Sequence, residues 1–484
     1  MTITDALPAR PTGASSRIGT NVAQAQDRLS PLVTLYLFCV IFSIFAFVGP
    51  LYLNTLRLLL LVLVIPLALR LLMGHFGRLI VTDGLFLAYF LWSVVALAIN
   101  NPNFVVTQAG STGAEFVGGY LVGRAYIRTR GAFLALCRQL GVWVIVLLPF
   151  GLVEARTGHA PIPDLIRMLP GIQSVPDVNI PGRMGLNRVQ NAFTHPIHYG
   201  LFCSVVFSLT FIALKHKIGT ARRWISSALI GLGCFLALSS GALLALLLQI
   251  GLIAWATVFK RIAWRWWLLV ALMVLAYIVV DLLSNRTPLR VFLSYATFSA
   301  HTAYWRSLIF EYGFQNALDN PLFGIGLNDW ERPSWMYGDS MDNFWLVVAV
   351  RFGFPAAIFI IAGYLYVLLK VIFRNLAGDT ELWHIRQAWV LSFVGLTFTL
   401  CTVHIWSNVY SFVFFMFAAG IWLIFEPVRT DAEGESDAAG KGQPEGPAKR
   451  HLPFTRFSGD RSEKSTGRAE PGDRGLANRS AKRP

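Results

Sequence analysis

The sequence predicts an all-α protein with about twelve membrane-spanning helices and two long loops on the outer side of the membrane. Of its 484 residues, 55% are apolar and only 14% are charged, whereas an ordinary soluble protein has roughly 25% charged residues. Apolar runs of about 20 residues, long enough to cross a bilayer as a helix, recur along most of the chain. These two observations argue against a water-soluble fold.

The apolar runs place the predicted helices along the chain. The twelve spans are 31–50, 52–73, 79–99, 107–126, 133–153, 196–214, 224–239, 241–259, 266–282, 354–373, 387–407 and 409–426. Glycines dilute the fourth span, at spacings that suit close contact between helices. The first 30 residues lack an apolar core with a cleavage site, so we predict no removable signal peptide and a retained first helix.

Basic residues concentrate in alternate short loops, which sets the predicted orientation. They are Arg70, Arg78, Arg124, Arg128, Arg130, Lys215, Lys217, Arg222, Arg223, Lys260, Arg261, Arg265, Lys370, Arg374 and Arg386. With these loops cytoplasmic, both termini are cytoplasmic and the long loops 154–195 and 283–353 lie outside. The predicted organisation is therefore a cytoplasmic segment at 1–30, a transmembrane domain at 31–426 and a disordered cytoplasmic tail at 427–484.

The remaining composition excludes several classes of partner. The formal charge of +15 is typical of cytoplasmic loops that face anionic lipid, and no basic motif interleaved with aromatic residues indicates nucleic-acid binding. The five cysteines lie in apolar runs without the spacing of a disulfide framework or zinc site, so we predict packing roles for them. No Asp-x-Asp pair occurs, and no metal or cofactor is expected.

The first outer loop ends in a cluster of cationic residues at the membrane boundary. Arg183, Arg188, His195 and His198 stand directly before or within the start of the apolar helix that Pro196 begins. Both outer loops contain arginine but none of the eight lysines, and the planar guanidinium can hold phosphate through two hydrogen bonds. The alternatives are contact with lipid headgroups and a bias in codon usage.

The second outer loop contains a predicted helix and a tight turn. His301, Trp305, Leu308, Ile309 and Tyr312 recur at helical spacing and form an apolar stripe, and Arg306 points away from it. A turn at 320–326 follows, in which Pro321, Gly324 and Gly326 permit exposed backbone N–H groups that could cradle an anion.

A broken helix follows the turn. Asp342 and Asn343 precede a short helical stretch that contains Arg351 and ends at Gly353 and Pro355. A helix broken at membrane depth is tolerated where it lines protein or a water-filled cavity. Asp342 can serve there as a general base or, equally, as the N-cap of the short helix.

Taken in order, these pieces resemble the bacterial O-antigen ligase and polysaccharide polymerase superfamily of integral-membrane glycosyltransferases. The resemblance covers roughly residues 180–375. The matching pieces are Arg188 with 191–196, then 239–243, 304–306, 320–326, 342–346, and 351–355.

The resemblance implies transfer of a glycan from undecaprenyl diphosphate to an acceptor sugar, without a metal, at the outer face of the bacterial inner membrane. It implies that Arg188 and Arg306, with Arg183 nearby, hold the diphosphate. Family members often have a His-Asn pair where this chain has Asp342-Asn343. Either Asp342, His301 or His195 then removes the acceptor proton, or the reaction needs less help from a base.

Several functions remain open from the sequence. We favour a polymerase, which joins lipid-linked repeats and whose partners are an undecaprenyl-diphosphate-linked oligosaccharide, membrane lipid and a chain-length regulator protein. A ligase would instead transfer the finished glycan to lipid A core or to protein. A lipid-linked glycan flippase would need a mid-membrane ionisable residue, for which Glu115 is the candidate. A non-enzymatic scaffold would leave the long outer loops unexplained.

Overall fold

A computed structural model describes residues 29–48, 51–178, 180–285, 291 and 300–429, without the side chains of 46–48, 51–53 and 300–303. The predictions made for 1–28 and for the tail from 430 onward lie outside these residues. The fifteen α-helices of this part are α1 Pro31–Ile41, α2 Thr55–Leu72, α3 Val81–Asn100, α4 Val105–Gly113, α5 Gly119–Tyr126, α6 Arg130–Thr157, α7 Pro161–Arg167, α8 Pro196–Phe211, α9 Thr220–Leu236, α10 Ser240–Val258, α11 Arg265–Leu283, α12 Ala300–Asp319, α13 Phe344–Ile372, α14 Thr380–Leu400 and α15 Ser407–Ala418.

The predicted fold class, an all-α polytopic membrane protein, is confirmed. Eight helices of the described part are long and apolar enough to cross a membrane. They span Thr55–Leu72, Val81–Asn100, Arg130–Thr157, Pro196–His216, Ser240–Val258, Arg265–Leu283, Phe344–Ile372 and Ser407–Ile424. The other four predicted spans coincide with α1, with α4 and α5 together, with α9 and with α14. The number twelve stays a prediction.

The first predicted span, 31–50, is only partly helical. Helix α1 ends at Ile41, and the chain continues into the antiparallel strands β1 Ile44–Val48 and β2 Leu51–Asn54. A third strand, β3 Gln173–Ser174, pairs with β1. An apolar run rich in aromatic and β-branched residues suits a strand as well as a helix, so hydrophobicity alone could not separate the two. The sheet ties the first outer loop to the helices.

The glycine-rich fourth span packs closely, as predicted. A π-helical segment, Ala114–Gly118, joins α4 to α5. A Cβ atom at Gly119 would lie 2.4 Å from the backbone oxygen of Ser411, and one at Gly123 would lie 2.4 Å from that of Phe415. Only glycine permits this approach to α15. Glu115, the residue on which the flippase alternative depends, is buried and pairs with Arg57 at 2.8 Å.

The predicted break in α13 is present and is held by the turn of the second outer loop. Gly353 has a φ of +80° inside the helix. The turn reaches across the break, since Ile325 N–H donates to the Val350 oxygen at 2.9 Å and Gly326 N–H to the Arg351 oxygen at 2.9 Å. Leu327 N–H donates to Asn101 Oδ1 at 2.7 Å. These donors are paired within the protein and are not available to cradle an anion.

The eleventh predicted span, 387–407, extends too far. Helix α14 ends at Leu400 and α15 begins at Ser407, so a short loop at 401–406 separates them. Val403 and Ile405 made the apolar run look continuous, but Ser407 has a φ of +56°, which a continuing helix does not allow. All five cysteines are free thiols, and Cys401 in this loop is exposed whereas the other four are buried.

One end of the bundle gathers the starts of α8, α13 and α15. The ring of His198 in α8 lies 4.1 Å from that of Trp406, which directly precedes α15. The ring of Phe344, the first residue of α13, stacks on His404 at 6.3 Å. On α12 the predicted stripe of Trp305, Leu308, Ile309 and Tyr312 packs on the core. Both outer loops therefore lie at this end, which we call the site end.

Candidate functional site

Two arginines of the first outer loop are anchored at the site end. Arg183 Nη1 donates to the Leu238 oxygen at 2.8 Å, and Arg188 Nε donates to the Ala237 oxygen at 3.5 Å. These carbonyls follow the end of α9, where helix carbonyls have no partner within the helix. Burial, followed by the neighbouring Arg183 charge, lowers the pKa of Arg188 to about 10. Arg188 is therefore positively charged at neutral pH, and its charge and that of Arg183 repel each other.

Arg306 of α12 brings the second outer loop to the same place. Burial lowers the pKa of its guanidinium, the Asp342 charge raises it, and the Arg183 charge lowers it. The Nε atom of Arg306 is buried and has no hydrogen-bond partner in the part of the chain that the structure describes. Arg183, Arg188 and Arg306 thus form one group, the arginine cluster, with Asp342 beside it.

Asp342 is half-buried and does not cap α13. The cap is Asn343, whose Oδ1 accepts a hydrogen bond from Leu346 N–H at 3.1 Å. The N-cap interpretation of Asp342 is therefore wrong, because the following residue takes that role. Burial raises the pKa of the Asp342 carboxyl, and the Arg306 charge opposes the rise. A carboxylate with a raised pKa is a stronger base than an exposed one.

His195 lies beside the arginine cluster as the N-cap of α8. Its Nδ1 accepts a hydrogen bond from Ile197 N–H at 3.1 Å, and a neutral imidazole in this arrangement carries its proton on Nε2. Burial, followed by the Arg188 charge, lowers the pKa of His195 to about 4. His195 is then a neutral imidazole whose Nε2–H can donate a hydrogen bond, and its role as a base stays a prediction. His301 begins the first turn of α12, and its side chain lies outside the description.

His404 and Trp406, which no sequence motif singled out, close the site end from the α14–α15 loop. The His404 ring lies 6.1 Å from that of Trp406, and Trp406 contacts both His195 and His198. Burial, followed by the Arg351 charge, lowers the pKa of His404 to about 4. The available signal was the presence of a histidine within a predicted span, which should have ended that span earlier.

The remaining site-shaping predictions concern α13. Gly353 and Pro355 form its break, and Arg351, just before the break, lies close enough to influence His404. Gly324 and Gly326 have φ values of +62° and +67°. A Cβ atom at Gly326 would lie 2.1 Å from Asn101 Oδ1. The glycines therefore position the segment that carries Asp342 and Arg351.

The site end combines three chemical features. It has three guanidinium groups, a half-buried carboxylate, and neutral histidines beside an aromatic wall. No group of three or more His, Cys, Asp or Glu residues that could hold a metal ion occurs in the described part of the chain. The arrangement can hold a multiply charged anion and accept a proton next to it.

A known protein family matches the part of the chain that carries the second outer loop. Residues 225–361 match the family described as O-antigen ligase, which confirms the resemblance drawn from the motifs. The matched segment contains Arg306, Asp342 and Arg351, whereas Arg183 and Arg188 precede it. No curated protein matches the chain.

Proposed function

We propose, from the match of residues 225–361 to the O-antigen ligase family, that this multi-pass membrane protein polymerises lipid-linked oligosaccharide repeats. It transfers a glycan from undecaprenyl diphosphate to the sugar of another lipid-linked repeat at the outer face of the bacterial inner membrane. The observation that carries the proposal is the arginine cluster beside Asp342, built from both outer loops at one end of the bundle.

The proposed reaction is a substitution at the anomeric carbon of the donor sugar. The acceptor hydroxyl forms the new C–O bond while its proton passes to the Asp342 carboxylate, and the bond to the diphosphate oxygen breaks. Undecaprenyl diphosphate leaves with the additional negative charge. Arg183, Arg188 and Arg306 stabilise that charge through guanidinium hydrogen bonds, as preorganised donors do at other sites of developing charge.

The choice between polymerase and ligase concerns the acceptor. Asp342-Asn343 stands where related ligases have His-Asn, so the residues that face the acceptor are those that differ. The description of the matched family as O-antigen ligase favours the second candidate, transfer of a finished glycan to lipid A core or protein. A polymerase would act with a chain-length regulator protein, whereas a ligase would not need one.

Analysis of the lipid-linked glycans in a strain that lacks the gene distinguishes the two. If the protein is the polymerase, single repeats on undecaprenyl diphosphate accumulate and long polysaccharide disappears. If long polymer still forms on the lipid carrier and never reaches its final acceptor, the protein is the ligase. Re-expression of the unaltered chain should restore the parental pattern, and re-expression of Asp342→Asn should not.

A further inference from the structure

A cavity lies at the end of the bundle opposite the site end. Its volume is about 320 Å³, and it is bounded by the loops that precede α3 and follow α5 and by the chain after α15. Helix α15 starts beside Trp406 of the site end and finishes at Ala418, which lines this cavity. The two sites are therefore separated by the length of one helix. In the predicted orientation this cavity is cytoplasmic.

Three arginines line the cavity. Arg78 and Arg128 are exposed, whereas Arg124 is only 5% exposed. The Arg124 Nη atoms donate to the backbone oxygens of Phe76 at 3.2 Å and Arg78 at 2.8 Å, and Nη2 lies 3.6 Å from the Asp83 carboxylate. This leaves Arg124 fixed in place with its charge held at the cavity wall.

Two buried N–H donors at this cavity lack an acceptor. Arg124 Nε has no hydrogen-bond partner within the described residues, and the same holds for Nε1 of Trp422, a residue that is 6% exposed. Both residues line the cavity, and these two polar atoms lie within its wall rather than on its open surface.

The charges around the cavity favour an anion. The lining residues of the described chain include three arginines and one carboxylate, Glu426, and Asp83 behind the wall pairs with Arg124, which leaves the positive charges in excess. Burial lowers the pKa of Arg128, and repulsion from the Arg124 charge lowers it further. Phosphate oxygens would pair with the exposed guanidinium groups of Arg78 and Arg128.

The cavity walls favour a lipid over a free ion. Trp422 and Phe425 supply an aromatic surface beside the arginines. The cavity lies where α3, a membrane-spanning helix by length and composition, begins. Basic pockets between helices at a membrane surface suit anionic headgroups. We propose that this cavity binds the phosphate headgroup of an anionic membrane phospholipid, separately from the donor diphosphate at the site end.

The test measures lipid binding to the purified full-length protein. Native mass spectrometry in detergent compares added phosphatidylglycerol with phosphatidylcholine. We expect the anionic lipid to bind more tightly, and the double variant Arg78→Gln/Arg128→Gln to lose roughly tenfold to a hundredfold in affinity for it, because two charge-assisted hydrogen-bonding groups are removed. Glu426→Gln should raise the affinity, because it removes the opposing carboxylate.

Arg222→Gln is the matched control. Arg222 is an exposed arginine on another predicted cytoplasmic loop and does not line the cavity, so its variant should bind like the unaltered protein. Equal binding of the two lipids, or unchanged binding in the double variant, would overturn the proposal. Displacement of phosphatidylglycerol by millimolar inorganic phosphate, with phosphate binding alone, would assign the cavity to a free anion and would also overturn it.

Discussion

The arginine cluster combines partly buried guanidinium groups from both outer loops. Arg183 and Arg188 donate to backbone carbonyls, which orient their guanidinium groups. Arg306 is close enough to Asp342 and to Arg183 for their charges to act on it. The planar fork of each guanidinium suits the oxygens of a diphosphate.

Replacement of Arg188 or Arg306 by lysine should separate this role from simple charge. Lysine keeps the charge but cannot form two parallel hydrogen bonds, so we expect transfer activity to fall roughly tenfold to a hundredfold. Membrane abundance of the protein should not change. Polymer yield in cells and transfer by the purified protein check this, with Arg222→Lys as the control. Near-normal yield from both variants would leave contact with lipid headgroups as the explanation.

Asp342→Asn tests the proposed base. An amide cannot take up the acceptor proton, so we expect a loss of roughly 10²–10⁴-fold in transfer rate. Helix α13 keeps its cap, because Asn343 supplies it. Asp339→Asn is the matched control, since Asp339 is exposed in the same loop. Full activity of Asp342→Asn would exclude this residue as the base and leave His301, His195 or a reaction that needs less help from a base.

The pH dependence of transfer gives a second measurement on Asp342. Its pKa is raised above the ordinary value of 3.8 by burial, and only the deprotonated form accepts a proton. Activity should therefore fall as the pH decreases through this raised pKa, at a higher pH than an exposed aspartate would give. The rate that remains in Asp342→Asn should lack this acidic limb, and an unchanged limb would argue for another group.

At the scale of elements, the break in α13 sets the position of the segment that carries Asp342 and Arg351. The turn at 320–327 supplies N–H donors to the carbonyls that the break frees. Phe354 N–H donates in turn to the Pro321 oxygen at 2.8 Å. The break is thus a paired structure, in which helix and turn satisfy each other and hold Asp342 and Arg351 in fixed relation.

Gly353→Ala should disrupt this arrangement. A Cβ atom there would lie 2.0 Å from the Leu322 oxygen, at a φ of +80°. We expect a loss of roughly 3 kcal/mol or more in stability, from strain and overlap together. Gly251→Ala in α10 is the control, because no atom lies within 4 Å of the new Cβ. Thermal unfolding in detergent compares the two, and equal melting temperatures would contradict the role of the break.

At the scale of the whole molecule, the two ends of the bundle differ in chemistry. The site end gathers both long loops and the arginine cluster. The opposite end carries Arg78, Arg124 and Arg128 around the proposed lipid-binding cavity. This polarity agrees with the orientation inferred from the short basic loops. It also separates the proposed transfer site from the proposed lipid site.

Reporter fusions test the orientation. Fusions after residues 175, 310 and 440 should report outside, outside and inside, because the first two positions lie in the long loops of the site end and the third follows the last span. An inside signal at 175 or 310 would remove the argument for chemistry at the outer face. Fusion after residue 218, in a predicted cytoplasmic loop, serves as the inside control.

The sequence by itself determined the fold class, most of the spans and the break in α13. A bilayer requires every spanning backbone to pair internally, so apolar runs of sufficient length identify helices with little dependence on their neighbours. Gly353 and Pro355 likewise act through their own backbone restrictions. The sequence wrongly placed residues 44–48 and 401–406 in helices, because a short apolar stretch suits a strand or a buried loop as well as a helix.

Only the tertiary structure decided which candidate residues meet. Arg183 and Arg306 lie in different loops, and no local period indicates that they approach each other. The positions of His404 against Phe344 and of Trp406 against His198 likewise depend on contacts between segments that are far apart in the sequence. Such contacts come from how whole helices pack, whereas the sequence pattern reports only the environment of each helix.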